Sequence, residues 1–202
     1  MSAIKKVVIF GSTGNTGLAT VAKALEKGLT VTAFLRDPSK LPADCKVDKV
    51  VKGDVTNQAD VDAAVRDQDA VIIALGTRND LSATTTMSTG TQNIVDSMKK
   101  FGVNRVSCCL SSFLFWDQDK IPAQMANIHE EHKKMLTILQ SSDREWIVLC
   151  PPHIDDKPGS KPYKMEKEAR VGPVISKFDL GDSLVSTLLT DEYLKCRVGL
   201  GY

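Results

Sequence analysis

Apolar positions over the first 150 residues alternate between two patterns: short unbroken runs, and longer stretches with apolar residues three or four apart. Residues 4–10 form a near-continuous apolar run, as expected of a strand covered on both faces. Leu18, Val21, Ala22 and Leu25 then recur at helical spacing, and Gly28 offers a C-cap. The alternation continues with strands at 30–35, 49–52, 70–75, 105–110 and 146–150. Between them lie a helix carrying Val61, Ala64 and Val65, a helix over 84–101 with Ile94, Val95 and Met98 on one face, and a charged helix over 124–140. Short strands alternating with helices predict parallel βαβ units.

Pro151-Pro152 stops the last of these strands, and beyond residue 153 the pattern fades. Residues 157–162 read as an exposed Gly/Pro/Lys loop, followed by a short strand near 174–175 and a helix near 180–189. No repeat or change of composition divides the chain. The expectation is one α/β domain over residues 1–202: a doubly wound Rossmann fold, mainly parallel, with helices on both faces of the sheet. Its acceptor side would be built largely from 111–123 and 151–178.

Composition narrows the function classes. The 202 residues are 42% hydrophobic and 25% charged, which is ordinary for a soluble protein. The formal charge of +1, with basic residues scattered, argues against nucleic acid or an anionic membrane as partner. No run approaches the ~20 apolar residues of a membrane helix, and the run before Gly11 is too short for a signal-peptide core. Cys45, Cys108, Cys109, Cys150 and Cys196 lack disulfide or metal-ligand spacing. A reduced cytoplasmic setting without bound metal follows as the expectation.

The strongest motif is Gly11-Ser12-Thr13-Gly14-Asn15-Thr16-Gly17, between the first strand and the first helix. There Gly11 permits a tight turn, Gly14 lets the backbone approach a pyrophosphate, and Gly17 lets the helix pack on the strand. The helix N-terminus supplies unpaired N–H groups for the phosphates, with Thr13, Asn15 and Thr16 as side-chain donors. The spacing is G-x-x-G-x-x-G and lacks the Lys-Ser/Thr of a P-loop. At the end of the second strand, where NAD-specific sites carry an acid, stands Arg36, with Ser39 and Lys40 close behind. An Arg there suits the 2′-phosphate of NADPH; the plainer alternative is a surface pair with Asp37.

Other strand ends add candidates. Asp54, followed by Val55, either accepts from an adenine amino group or, like Thr56, caps a helix. Leu75, Gly76, Thr77 and Arg78 end the fourth strand, where Gly76 lets a cofactor cross the sheet edge. Thr77, Arg78, Ser111 and His153 all follow strand ends, so they converge on the edge where open parallel sheets bind ligands. Phe113, Phe115 and Trp116 read as half core, half wall of an apolar pocket.

The glycine turn, Phe34-Leu35-Arg36-Asp37, Gly53-Asp54-Val55, Leu75 to Ser82, Ser111 to Leu114, Trp116-Asp117, Pro151-Pro152-His153-Ile154 and Ile175-Ser176-Lys177 together resemble the atypical short-chain dehydrogenase/reductase family. Within it the chain is similar to the subgroup of NADPH-dependent flavin and biliverdin reductases, over residues 3 to 193. The Gly76-to-Leu81 and Pro151-to-Ile154 segments are specific to that subgroup; the tail from Tyr193 matches poorly. The resemblance implies a monomeric cytosolic reductase that takes hydride from NADPH. Free flavins (FMN, FAD, riboflavin) and biliverdins, mainly IXβ, would be its diffusible substrates. Ser111 and His153 would line the acceptor pocket and Cys109 would border the nicotinamide. Met87, Leu110, His132, His153 and Ile154 complete the expected cofactor contacts.

Hydride transfer needs donor and acceptor held in register, plus a proton. His153 is the expected proton donor, since an imidazole titrates near neutrality. Ser111 is expected to hydrogen-bond the acceptor or order a water. The plainer readings are a loop cap for Ser111, a turn residue satisfying carbonyls for His153, and a surface position for His132. His129 has no motif support, and Cys108 and Cys109 read as packed thiols. Tyr163 and Lys167 spell Y-x-x-x-K, but they fall after the sixth strand rather than on the helix after the fifth, so they are not expected to be catalytic. Two other functions remain in view: an NADP-binding regulator of the NmrA type, and a sugar-nucleotide epimerase, for which the chain is short.

Overall fold

The computed structural model describes residues 4–159 and 162–202. Ser160 and Lys161, part of the expected 157–162 loop, lie outside the described residues, as do Met1 to Ala3.

Strands and helices alternate except between β2 and β3, which only a 3-10 turn separates: β1 (Lys6–Phe10), α1 (Asn15–Glu26), β2 (Thr30–Leu35), β3 (Lys49–Lys52), α2 (Gln58–Val65), β4 (Ala70–Ile73), α3 (Thr86–Phe101), β5 (Arg105–Cys109) and α4 (Ala126–Gln140). Then follow β6 (Glu145–Cys150), β7 (His153–Asp155), β8 (Lys164–Lys167), β9 (Val174–Ser176), α5 (Lys177–Ser186) and β10 (Arg197–Gly201). Eight strands form one sheet in the order β3-β2-β1-β4-β5-β6-β10-β8. All neighbours run parallel except β8, which is antiparallel to β10. β7 and β9 form a separate parallel pair beside the main sheet. Strand order reverses between β1 and β4, which makes that point the ligand-binding crevice of an open α/β sheet.

Both faces of the central strands are covered, which explains the unbroken apolar runs. Val8 and Phe10 pack with Val71, Val106 and Val148 against α2, α3 and α4. Val7 and Ile9 pack with Ile72, Ile147 and Leu149 against α1 and α5. Each of these side chains contributes about 1.5–3 kcal/mol on leaving water.

The largest departure from the sequence reading is the tail. β10 inserts next to β6, with Arg197 opposite Val148, and extends the sheet. Its sequence is interrupted by glycine for a steric reason: a Cβ on Gly199 would lie 1.9 Å from the Ala169 carbonyl oxygen, and one on Gly201 2.6 Å from that of Val171. β7 and β8 were also not expected. β8 reads Lys-Met-Glu-Lys and is a short charged edge strand, a composition that blunts sheet-edge pairing. The spacing of Tyr163 and Lys167 therefore runs along extended backbone, about 13 Å end to end at strand rise. Tyr163 instead donates weakly to Asp182 on α5, at 3.4 Å. The pair cannot act together, as the sequence position suggested.

Candidate functional site

The glycine turn is built as its sequence predicts. Gly11 has φ +82°, and a side chain there would meet the Ala74 carbonyl oxygen at 2.1 Å, so the turn sits directly against the end of β4. A Cβ on Gly17 would fall 2.0 Å from the Gly11 carbonyl oxygen. At Gly14 the nearest atom would be 3.3 Å away, which leaves that backbone open on its outer side. Gly14 is also the N-cap of α1, and no side chain caps the helix. The N–H groups of the first turn of α1 thus keep the positive end that an anion uses. Ser12 anchors the turn by donating to the Phe34 carbonyl at 2.9 Å.

Across the strand-order switch, Arg78 Nη2 donates to Thr13 Oγ1 at 3.1 Å. Arg78 and Asn79 adopt φ of 55° and 68°, a left-handed backbone that non-glycine residues rarely hold. Arg78 therefore closes over the glycine turn from the β4 side. Beside it, a Cβ on Gly76 would meet nothing within 4 Å, so this edge is open.

Arg36 is exposed at the end of β2 and makes no ion pair among the described residues. Its expected alternative partner, Asp37, is taken by Ser39, whose N–H and Oγ donate to it at 3.1 and 2.7 Å. Ser39 and Lys40 are exposed next to Arg36. Asp54 accepts from the N–H and Oγ of Thr56 at 2.8 and 2.7 Å. Those two bonds, and less strongly the charge of Arg36, hold its carboxyl below the usual range. The cap of α2 is neither Asp54 nor Thr56 but Asn57, which accepts from Ala59 and Asp60. Val55 is buried, and Gly90 of α3 packs on it so closely that a Cβ would lie 2.7 Å from a Val55 methyl.

At the end of β5, Ser111 heads a 3-10 turn over Ser112–Phe115 but does not cap it with its side chain. Its Oγ is buried with no hydrogen-bond partner among the described residues, as are Trp116 Nε1, His129 Nδ1 and His132 Nδ1. A buried unpaired polar atom costs about 1–3 kcal/mol, so such atoms concentrate where a ligand or water completes them. The loop-cap reading of Ser111 therefore fails. Ser111 and the residues after β6 are tied together, with Ser112 donating its N–H to the Pro151 carbonyl at 2.8 Å. Phe113 stacks edge-on against Trp116 with ring centroids 5.2 Å apart, and Arg170 covers Trp116.

His132 is not the surface residue of the plain reading; it is 9% exposed, on the inner face of α4. Burial pushes its pKa down to about 4, so it is neutral at pH 7. His129, which carried no sequence signal, is buried too, and burial lowers its pKa. The signal that would have found both is their spacing with Ile128, Met135 and Leu136 on the apolar face of the helix. Glu131, between them and 1% exposed, accepts from Ser88 N and Oγ at 2.9 and 3.0 Å. This clip ties His132 on α4 to Met87, the neighbour of Ser88 at the start of α3.

His153 opens β7, exposed, with its N–H donated to the Pro173 carbonyl at 3.3 Å. Its side chain satisfies no carbonyl among the described residues, contrary to the turn reading. Ile154 is half-buried against the α1–α5 face, and Leu75 against the other. Met87 and Leu110 are buried. Burial pushes the Cys109 thiol up to about 12 and raises those of Cys108 and Cys150 as well, so they are packed thiols rather than nucleophiles. An open groove of about 550 Å³ between α3 and α4 is lined by Ser88, Gln92, Glu130, Lys134 and their neighbours, and contains no strand-end residue.

Among the described residues no group of three or more His, Cys, Asp or Glu side chains is arranged to hold a metal, and no helix is long and apolar enough to cross a membrane.

Residues 11–191 match a family model described as NAD(P)H-binding. An uncharacterised chloroplastic protein of Arabidopsis thaliana is 38% identical over 109 residues, 50% of this chain and 39% of its own length. A 3-beta-hydroxysteroid dehydrogenase of Mycolicibacterium neoaurum is 32% identical over 111 residues, 50% of this chain and 30% of its own. The match thus spans well under half the length of either curated relative. A solved short-chain dehydrogenase/reductase from Veillonella parvula, in complex with NADP, superposes with TM-score 0.81 at 15% identity, covering 98% of this chain and 95% of the other. A solved putative epimerase from Bacteroides thetaiotaomicron gives TM-score 0.82 at 24% identity, covering 98% and 97%. At these identities the structures share the fold.

Proposed function

This chain belongs to the NAD(P)H-binding family, and from that we propose that it is an NADPH-dependent reductase whose hydride acceptor is a free flavin or a biliverdin of the IXβ type. The observation that carries the reading is Ser111 Oγ, buried with no hydrogen-bond partner among the described residues at the end of β5, one strand beyond the strand-order switch. Arg36, exposed and in no ion pair among the described residues, supports NADPH over NADH, because a guanidinium at the end of β2 suits a 2′-phosphate.

The glycine turn and the start of α1 would hold the pyrophosphate, with Thr13, Asn15 and Thr16 as side-chain donors and Arg78 closing over them. Arg36, with Ser39 and Lys40, would hold the 2′-phosphate; Asp54 and Val55 would flank the adenine. Leu75, Gly76, Thr77, Met87, Cys109, Leu110, His132 and Ile154 would enclose the nicotinamide half. NADPH supplies the hydride. Ser111 orients the acceptor through its hydroxyl, and half-buried Phe113 and Trp116 supply apolar surface on the same side. His132, kept neutral by burial, positions by hydrogen bonding and does not supply the proton. His153, exposed on the acceptor side, is the proton donor. The separation of Tyr163 from Lys167 supports an acceptor that takes hydride readily over an alcohol or ketone.

The test follows NADPH absorbance with purified protein and FMN, FAD, riboflavin or biliverdin IXβ. Turnover well above the protein-free rate is expected. Tight NADPH binding without turnover on any of them would instead indicate a cofactor-binding regulator.

A further inference from the structure

Three side chains from distant parts of the chain meet at the phosphate end of the site. Asn15, the first residue of α1, donates from Nδ2 to Asp156 Oδ1. Its Oδ1 accepts from Lys177 Nζ at 2.9 Å, and Lys177 Nζ lies 3.3 Å from the same Asp156 oxygen. Lys177 is the first residue of α5, and Asp156 directly follows β7, two residues beyond Ile154.

The packing of α1 on α5 brings them together. Lys177 meets Asn15, and four residues further along each helix Gly181 approaches Ala19 and Thr20 so closely that a Cβ would fall 2.8–3.0 Å from their backbone. The two helices therefore run side by side in the same direction, with their N-termini at the glycine turn. Two positive helix ends and a lysine favour an anion at this point. In this structure that anion is a carboxylate, with Asn15 and Lys177 holding it below its ordinary range. The Asp156 side chain is 72% exposed against 22% for Lys177, so the carboxylate is the outer, displaceable member.

We propose that Asp156 competes with a cofactor phosphate for Lys177 and Asn15, so that the segment following His153 and Ile154 carries a counter-anion which the cofactor must displace. This rests on the NADPH reading above and adds two residues to it: Lys177 as a phosphate partner, and Asp156 as its competitor. A bracing role for Asp156 predicts the opposite sign, because losing a brace loosens the turn and weakens binding.

The experiment is a fluorescence titration with NADPH of wild type, Asp156→Asn, Asp156→Ala, Lys177→Gln and Lys177→Arg, at low and high salt. Both Asp156 variants should bind about three- to tenfold more tightly, as expected when a like charge a few Å away in a mostly aqueous setting is removed. Lys177→Gln should bind more weakly by a similar factor, Lys177→Arg should restore affinity, and all differences should shrink as salt rises. Unchanged or weaker binding in both Asp156 variants would overturn the proposal. Failure of the wild type to bind NADPH would remove both readings, whereas failure to reduce flavin with the Asp156 effect intact overturns the acceptor reading alone.

Discussion

Ser111 separates stability from function more cleanly than any other residue. Its hydroxyl is buried and unpaired, so Ser111→Ala should leave the melting temperature unchanged or raise it, while lowering turnover about tenfold; loss of stability with turnover intact would contradict its role. Arg36 stands exposed at the end of β2 and makes no ion pair among the described residues. Arg36→Ala should weaken NADPH about tenfold or more, the magnitude of a hydrogen bond between charged groups, and leave NADH nearly unchanged. Equal losses for both cofactors would remove the 2′-phosphate assignment. For His132 the folded pKa of about 4 lies below the usual 6.5 of an imidazole. A buried neutral histidine stabilises fully above the unfolded value, and that stability is lost as pH falls from about 6.5 to 4. The loss amounts to about 3 kcal/mol for this one group. Thermal melts from pH 7 to 4 should therefore decline more steeply in wild type than in His132→Gln, and parallel curves would refute the burial argument.

At the scale of elements, the helices and strands up to β6 were legible because all of them except the exposed edge strand β3 bury one or two faces, and burial writes a period into the sequence. Helix ends were less so: α4 begins at Ala126 and α5 at Lys177, with 3-10 turns at Ala123–Met125 and Thr187–Leu189 absorbing the difference. β10 was illegible for a different reason. Its Gly199 and Gly201 are dictated by the 169–171 backbone crossing beside it, a contact from distant sequence that no local pattern encodes. Gly199→Ala should accordingly destabilise the protein by about 3 kcal/mol, measured by denaturant unfolding. Gly76→Ala, facing open space at the cofactor edge, should leave stability nearly unchanged and weaken NADPH instead. The site divides along the same line. The glycine turn, Arg36 and Arg78 sit next to strand ends and could be read locally. The Ser88–Glu131 clip and the Asn15–Asp156–Lys177 cluster are made by helices packing against one another, so their pairing was invisible.

For the whole molecule, the strand order places the turns after β1 and β4 side by side, and β5 and β6 continue the same carboxyl edge. That edge holds Arg78 over the glycine turn and Ser111 one strand further on, the order in which the proposed reading places phosphate and acceptor. The family match covers residues 11–191 and therefore includes every residue placed in this site. The central claim is direct hydride transfer from NADPH to a diffusible planar acceptor. The measurement that tests it most directly is single-turnover reduction of FMN by the protein loaded with NADPH, compared with NADPH deuterated at the transferred position. Flavin reduction should be saturable and protein-dependent, and should slow with the deuterated cofactor. Flavin reduction no faster than in the absence of protein, with NADPH demonstrably bound, would contradict that claim.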